Sequence, residues 1–305
     1  MYSGKRSEIN KIWPSDPTIE GAGVHLKRAF GFHEIPLLDP FLLLDDFRSQ
    51  NPQEYKAGFP WHPHRGIETV TYILEGDVEH GDSLGNQGNI SSGDVQWMTA
   101  GSGIIHQEMP KGNYKGEMLG FQLWTNLPAK AKMTPPRYQE IKRNSIPLIS
   151  RQDGVKIKII AGSVDEVQGP AKGIMINPEF LDVEIPAGKS FIHNVNPKHT
   201  VLAYVIDGAA YFDAKHNPFS HDAIGKNYFD MIPPCECKNG TLVLYARGGD
   251  HIEVTTDKYS VRFLLISGQP LNEPIAWYGP IVMNTKEELE VAFAEYKNGT
   301  FIHYQ

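Results

Sequence analysis

Short apolar segments separated by turns of glycine, proline and aspartate occur along most of the chain, and this pattern predicts β-strands. The clearest predicted strands are Thr69–Leu74, Val95–Thr99, Glu117–Asn126, Thr200–Ile206, His251–Thr256 and Ser260–Ile266. Turns that contain Gly-Asp or Asp-Gly border several of these strands in both halves of the chain. The repeated arrangement predicts an all-β protein in which one β fold occurs twice.

The second copy of the predicted fold is longer than the first. Gly76 and Asp94 are 18 positions apart, whereas Gly208, where a strand is expected to end, and Asp250 are 42 apart. The predicted insertion contains His216, His221, Cys235 and Cys237. These two cysteines are the only ones in the chain, so there is no disulfide framework, and we expect reduced structural or surface thiols.

The domain prediction follows from a polar segment in the middle of the chain. Residues 129–149 contain a Pro-Pro pair and no clear periodicity, which is typical of a linker. We therefore expect an N-terminal domain over residues 1–135, a linker over 136–149 and a C-terminal domain over 150–305.

One helix is predicted, close to the C-terminus. Thr285–Tyr296 has apolar residues at helical spacing, and the distance from Thr285 to Glu288 is that of a capping box. Either Asn284 or Thr285 could be the N-cap. We interpret this helix as a core-packing element.

Composition limits the class of protein. Apolar residues make up 40% and charged residues 21% of the 305 residues, as in ordinary globular proteins. No apolar run approaches the roughly 20 residues of a membrane span, and the N-terminus lacks the apolar stretch of a secretory signal. We expect a cytoplasmic protein, also nuclear in a eukaryote, and take a monomer as the default. The net charge of −7 argues against direct nucleic-acid binding.

Two pairs of polar residues are the strongest candidates for chemistry. His62 and His64 would lie on one face of a strand, and so would His106 and Glu108 on another, because side chains alternate along a strand. Two such strands facing each other would present three imidazoles and one carboxylate to one point, a set suited to a divalent first-row metal. An octahedral ion would keep two positions open. The alternative for a lone His-x-His pair is two hydrogen-bonded polar residues on a strand or in an exposed loop.

Motifs around these residues resemble those of the cupin superfamily. The first cupin motif is matched by Gly58, His62, His64, Glu68 and Gly76. The second is matched by Gly93, Gly101 and His106, with Thr99 in place of proline and no asparagine at the expected place. Longer strings resemble the pirin family: Leu38–Phe47, His62–Gly66, Glu68–Val70, Gln96–Gly101, Glu108–Pro110, Leu123–Trp124, Gly268–Pro274, Gly279–Pro280 and Val282–Thr285.

The resemblance implies two cupin barrels of jelly-roll type in tandem, with one metal site in the first barrel and none in the second. In pirins the metal is held by the residues that fall here on His62, His64, His106 and Glu108. One divalent ion per chain is expected, with iron(II) first and manganese, nickel, copper, cobalt or zinc as alternatives. Glu68 is not a ligand in pirins. On strand parity it shares the face of His62 and His64, so it could support the ligands, or form a cross-strand ion pair with Arg65.

The resemblance also implies an activity. Pirin relatives are associated with quercetin 2,3-dioxygenase, in which dioxygen opens a flavonol with loss of carbon monoxide, so a small aromatic or enol substrate is expected. Glu108 could take the proton of the substrate hydroxyl. Four apolar side chains are either walls of the pocket or plain barrel core: Phe59, Trp97, Met98 and Phe121. The alternative function is a metal-binding regulator that acts through a protein partner, as animal pirins do with transcription factors. A cupin isomerase or sugar-binding protein is disfavoured by the pirin-like strings.

Overall fold

The computed structural model describes residues 4–213 and 236–304. Predictions that concern His216, His221 and Cys235 lie outside these residues. Within them, the structure contains no helix that is both long and apolar enough to cross a membrane.

Twenty-five strands account for most of the described secondary structure. The first twelve are β1 Ile9–Pro14, β2 Asp16–Glu20, β3 Val24–Phe30, β4 Phe41–Asp46, β5 Phe59–His64, β6 Ile67–Glu75, β7 Asp77–Asp82, β8 Gln87–Ser91, β9 Val95–Thr99, β10 Ile104–Pro110, β11 Leu119–Asn126 and β12 Arg137–Ile141. The others are β13 Leu148–Ser150, β14 Lys156–Ala161, β15 Ser163–Val164, β16 Val167–Gln168, β17 Glu179–Ile185, β18 Ser190–Asn194, β19 Thr200–Tyr211, β20 Glu236–Lys238, β21 Thr241–Tyr245, β22 His251–Thr255, β23 Val261–Gly268, β24 Ala276–Tyr278 and β25 Ile281–Met283.

The chain divides into two compact units. The first unit joins Ser15–Ile146, Pro170–Asn177 and the residues from Pro270 onwards, and the second joins the residues up to Pro14, Pro147–Gly169 and Pro178–Gln269. These units differ from the predicted ranges 1–135 and 150–305 at both ends of the chain. The physical reason is strand pairing, because β1 pairs with β21 in the second unit. Likewise β12, which lies inside the predicted linker, pairs with β9 in the first unit.

The first unit contains two large antiparallel sheets and the small two-stranded sheet β24-β25. Seven strands are ordered β12-β9-β6-β11-β4-β3-β2, and four are ordered β5-β10-β7-β8. In β10 buried and half-buried residues alternate strictly, which is typical of a strand with one face toward a core. Strand β6 is buried over its first seven residues, so both faces of the larger sheet are covered at its centre.

The second unit contains one large antiparallel sheet built around β19, β23 and β17. Its buried core is dominated by Val, Ile, Leu and Phe, the residues that favour strands. The thiol of Cys237 is buried in this core and forms no disulfide with the described residues. The prediction that a strand ends at Gly208 was wrong, because β19 continues to Tyr211. Gly208 adopts a φ of +69° beside a register shift between Val205 and Asp207, so its turn-like character marks a bulge.

Helix α1, Lys286–Asn298, belongs to the first unit. Thr285 is its N-cap and forms a complete capping box with Glu288, which decides between the two candidate caps. The helix ends at Gly299, whose φ of +75° is the left-handed conformation that favours glycine. Its inner face buries Leu289 and Ala292. The predicted fold class, all-β with a short C-terminal helix, is confirmed.

Candidate metal centre

Three histidines from two neighbouring strands of the smaller sheet meet in the first unit. His62 and His64 lie on β5, and His106 lies on β10 directly opposite His62. The ring centres are 4.8 Å apart for His62–His64, 4.4 Å for His62–His106 and 5.0 Å for His64–His106. One nitrogen from each ring lies within 4.8 Å of the others. The predicted alternation of side chains along each strand therefore does bring these three residues together.

The hydrogen bonds of His62 and His64 orient one nitrogen of each ring toward the other. Nδ1 of His62 donates to the carbonyl of Pro60 at 2.8 Å, and Nδ1 of His64 donates to that of Pro280 at 3.2 Å. A carbonyl can only accept, so in the neutral rings both Nε2 atoms carry lone pairs. These two Nε2 atoms are 3.1 Å apart. Nitrogens that bind one ion at right angles, each ~2.1 Å from it, are also ~3 Å apart.

His106 provides a second sign of an ion-binding site. Both of its ring nitrogens are buried, and neither has a hydrogen-bond partner among the described residues. Burial, and secondarily the neighbouring His64 and His62, holds the pKa of His106 well below its usual value. Burial also lowers the pKa of His64 strongly, helped by His62. Neutral imidazoles with unused nitrogens are the form that binds metals, so the three residues fit the divalent metal that the chain's resemblance implies.

Glu108 is buried two positions beyond His106, but it is not part of this imidazole cluster. One oxygen accepts a hydrogen bond from the Thr71 hydroxyl at 3.0 Å, and the other accepts one from Nε2 of Gln122 at 2.9 Å. The indole of Trp124 donates to Oε1 of the same Gln122 at 3.1 Å. Among the described residues no cation pairs with Glu108, so neutral donors alone hold its carboxylate in the interior.

Glu68 is not part of the imidazole cluster, and the prediction from strand parity that it shares the face of His62 and His64 was wrong. It accepts hydrogen bonds from Trp97 at 3.1 Å, Thr99 at 2.7 Å and Thr125 at 3.5 Å. The cause is Gly66, which has a left-handed φ of +78° and lies between the end of β5 and the start of β6. The alternation of side chains between the two faces of a strand therefore does not continue from His64 to Glu68. The proposed ion pair with Arg65 is not formed either. Burial raises the pKa of Glu68, and its three donors oppose this shift.

A cavity of about 670 Å³ opens beside His62 and His64. Its apolar walls come mainly from aromatic side chains spread over the first unit: Phe32, Phe59, Trp61, Trp124, Trp277 and Tyr278. The rings of Trp124 and His64 form a T-shaped contact, with their centres 5.0 Å apart. These residues form a flat-sided aromatic site of the size that small-molecule ligands occupy.

Of the four apolar residues predicted as walls or core, Phe59 lines this cavity. Trp97, Met98 and Phe121 are each at most 1% exposed and are not among its lining residues. Trp97 lies opposite Val70 on one face of the larger sheet, whereas Gln122 and Trp124 lie on the other face. The sequence prediction missed Trp61, Trp124 and Trp277 as walls, although Trp61 is next to a pirin-like string, Trp124 is inside one and Trp277 lies between two.

Two buried cations anchor the end of the histidine-bearing strand. Arg65 is 2% exposed; its Nη1 lies 2.6 Å from Glu295 of α1, and its Nη2 donates to the Phe301 carbonyl at 2.9 Å. The guanidinium also lies 4.2 Å from the centre of the Phe301 ring. Nζ of Lys132 donates to the carbonyl of Gly66 at 2.9 Å.

The ammonium group of Lys132 makes two further bonds, to Oδ1 of Asn126 at 2.7 Å and to the carbonyl of Val282 at 2.8 Å. Burial lowers the pKa of Lys132 to about 7. A side chain at Gly66 would collide with that same Val282 carbonyl. The loop after His64 is therefore held against the C-terminal segment by close backbone packing as well as by cations.

The second unit places its histidines differently. His193 lies 3.0 Å from Glu179, and its ring stacks on Phe191. His251 lies 2.6 Å from Asp250. Burial lowers the pKa of His199, and Glu179 opposes that shift.

Two antiparallel β units, one of them carrying a cluster of three imidazoles, define a bicupin with a candidate metal centre. Two family models match the chain: one described as Pirin over residues 23–125, and one described as Pirin C-terminal cupin domain over residues 180–302. The chain belongs to the pirin family.

Similar proteins agree with this membership. A Pseudomonas aeruginosa protein provisionally named quercetin 2,3-dioxygenase is 40% identical over 296 residues, with 96% of this chain and 97% of that protein covered. A pirin-like protein of Caulobacter vibrioides is 41% identical over 294 residues, covering 96% and 98%. A crystal structure of quercetin 2,3-dioxygenase from Acinetobacter baumannii has a TM-score of 0.83 at 32% identity and covers 97% and 98% of the two chains.

A more distant likeness concerns the fold alone. The Escherichia coli bacterial pirin YhhW, solved in complex with nickel(II), has a TM-score of 0.60 at 20% identity. The match covers 85% of this chain and 100% of that one.

Proposed function

We propose that this chain is a metal-dependent dioxygenase that opens a flavonol, or a similar enol, in a reaction of the quercetin 2,3-dioxygenase type. The observation that carries the proposal is the position of His62 and His64, which line an aromatic cavity while their Nε2 atoms converge with His106. A site that only stabilised the fold would not require an open wall of this kind. The relatives named for this activity cover nearly the whole chain.

His62, His64 and His106 would hold the ion, and Glu108 would complete the ligand set. Iron(II) is the first candidate, and manganese, nickel, copper, cobalt and zinc also suit imidazole and carboxylate ligands. When bound, such an ion supplies a Lewis-acid centre that stabilises an enolate beside dioxygen.

Glu108 suits the role of base for the substrate hydroxyl. Its carboxylate is buried and is held by the two neutral donors of Thr71 and Gln122, without a cation to neutralise it. A positive ion or a hydroxyl donor that approaches a buried carboxylate of this kind is bound more favourably than it would be beside a carboxylate already paired with a cation. Gln122 itself lines the cavity, so a substrate there would lie next to the side chain that orients Glu108.

The cavity walls would bind and shield the substrate. Trp61, Trp124 and Trp277 offer planar faces to a flat ring system, and such aromatic contacts contribute ~0.5–1.5 kcal/mol each beyond area burial. Exclusion of water strengthens the electrostatic interactions at the imidazoles.

The test is oxygen uptake and carbon monoxide release with quercetin, on protein stripped of metal and reloaded with iron(II). A His62→Ala/His106→Ala variant is the negative comparison, and His25→Ala, which removes an exposed histidine outside the cavity, is the matched control. We expect turnover in the wild type and the control, and none in the double variant. Full metal content without turnover would contradict the dioxygenase proposal for this flavonol and favour a metal-binding protein that acts through a partner.

A further inference from the structure

Three charged side chains on β2, β3 and β4 line the aromatic cavity, and none of them belongs to the imidazole cluster. Among the described residues that line the cavity, only Glu20, Arg28 and Asp45 carry a full charge when histidine is neutral. Nε and Nη2 of Arg28 each donate to one oxygen of Asp45 at 2.8 Å. Nη1 of Arg28 lies 2.9 Å from Glu20. We call this set the acceptor wall.

The strand register places the acceptor wall next to the candidate metal centre. Gln122, Asp45 and Arg28 are paired in one row across β11, β4 and β3, so their side chains lie on the same face of the larger sheet. Adjacent strands are ~4.8 Å apart, which puts the Cα atom of Arg28 ~10 Å from that of Gln122. The wall therefore begins one strand away from Gln122, the residue that donates a hydrogen bond to the proposed base Glu108.

The charge balance of the wall favours one kind of ligand group. One guanidinium stands between two carboxylates, so the net charge is −1, and three of its five N–H groups already point to those carboxylates. Burial raises the pKa of Asp45 to about 6, although the paired Arg28 opposes the shift. At neutral pH the carboxylates therefore act as acceptors, and their unused lone pairs outnumber the remaining donors.

We propose that Glu20, Arg28 and Asp45 determine substrate specificity by accepting hydrogen bonds from hydroxyl groups on the rings remote from the imidazoles, and by repelling ligands that carry a carboxylate there. The inference rests on the proposed function. Arg28 fixes the two carboxylates through a planar, bidentate contact, so the acceptors keep their direction without a ligand. The favoured substrates are neutral polyphenols rather than aromatic acids.

Binding without turnover isolates this property. The assay is calorimetric titration of iron-loaded protein in the absence of dioxygen, with three probes: quercetin, 3-hydroxyflavone, which lacks the remote hydroxyls, and 4′-carboxy-3-hydroxyflavone. We expect wild-type protein to bind quercetin about tenfold more tightly than 3-hydroxyflavone, the size of one well-formed hydrogen bond to a charged group. The carboxylated probe should bind several-fold more weakly than 3-hydroxyflavone.

Glu20→Gln and Asp45→Asn remove the negative charges one at a time. Glu20 is 43% exposed, so Glu20→Gln leaves the Arg28–Asp45 pair and the fold in place even if Asp45→Asn unfolds. In each folded variant the preference for quercetin should fall at least threefold and the carboxylated probe should bind more tightly, while 3-hydroxyflavone changes less than twofold. Glu79→Gln, on an exposed carboxylate outside the cavity, should change nothing.

The inference would be overturned if wild type and Glu20→Gln preferred quercetin over 3-hydroxyflavone to the same extent. It would also be overturned if the wild type bound the carboxylated probe as tightly as 3-hydroxyflavone. Such a result would leave quercetin turnover intact if the proposed function holds. Selective binding without any oxygen uptake in air would support the acceptor wall and contradict the dioxygenase.

Discussion

Replacing Arg65 by methionine tests whether the C-terminal segment stabilises the histidine-bearing strand. The substitution keeps the length of the apolar stem and removes an ion pair to Glu295 at 2.6 Å, a hydrogen bond to Phe301 at 2.9 Å and a ring contact at 4.2 Å. A charge-assisted hydrogen bond contributes ~1.5–3 kcal/mol and a desolvated cation–π contact up to ~2 kcal/mol.

The cost of burying the guanidinium offsets part of this stabilisation. Glu295 is 26% exposed and keeps His303 at 3.0 Å, so its carboxylate is not left isolated. We therefore expect Arg65→Met to reduce the free energy of unfolding of the first unit by about 3 kcal/mol, near the lower end of the ~3–5 kcal/mol typical of breaking a buried pair. The midpoint of thermal unfolding should fall by ~6–12 °C.

Urea unfolding followed by tryptophan fluorescence is the assay. Four of the five tryptophans, at positions 61, 97, 124 and 277, belong to the first unit, so the signal reports mainly on it. Glu290→Gln on the same helix is the control, because Glu290 is 67% exposed and makes only a surface pair with Lys286. A loss below ~0.5 kcal/mol in Arg65→Met, equal to the control, would refute the view that this contact holds the strand in place.

Three further expectations follow from the site. The pKa of Lys132 is lowered to about 7, below its value in the unfolded chain. Between pH 7 and 10 the unfolded state therefore binds more protons than the folded state, so the free energy of unfolding should rise with pH by at most ~1.4 kcal/mol per pH unit. Urea midpoints measured over this range should lose the slope in Lys132→Met. Gln122→Leu removes the 2.9 Å hydrogen bond to Glu108 and should lower kcat for quercetin about tenfold or more without loss of bound metal, measured by oxygen uptake beside metal analysis. Chelation of the metal should lower the melting temperature by an amount equivalent to ~2.7 kcal/mol when the free ion had been at a hundred times its Kd, and His106→Ala should abolish the difference.

Local periodicity predicted which candidate ligands share a face, and the resemblance to pirins joined the two pairs into one site. His62 and His64 share a face because a strand alternates with period two, and His106 joins them because β10 pairs with β5. The same rule failed for Glu68, since a single glycine in the left-handed region ended the strand between them. The pattern of apolar and polar residues does not indicate such a backbone conformation, although a glycine at position 66 is compatible with it.

Long-range pairing and the cavity were beyond this reasoning. Trp61, Trp124 and Trp277 come from distant parts of the chain and meet only because strands of two sheets and the C-terminal segment pack together. Nothing in residues 9–14 indicates that they pair with β21, more than 200 positions away. The Arg28–Asp45 pair was equally invisible, because cross-strand partners depend on a register that composition does not reveal.

The contact between His64 and Pro280 has a consequence for biosynthesis. The two residues are 216 positions apart, so the ribosome completes the histidine-bearing strand long before the carbonyl that orients His64 exists. The contacts of Lys132 with Val282 and of Arg65 with Glu295 likewise cannot form until the C-terminal segment has been synthesised. A nascent chain therefore has the local Pro60 carbonyl for His62 early, but lacks the acceptor for His64 through most of translation. We expect the complete imidazole cluster to form only after the C-terminal segment has left the ribosome.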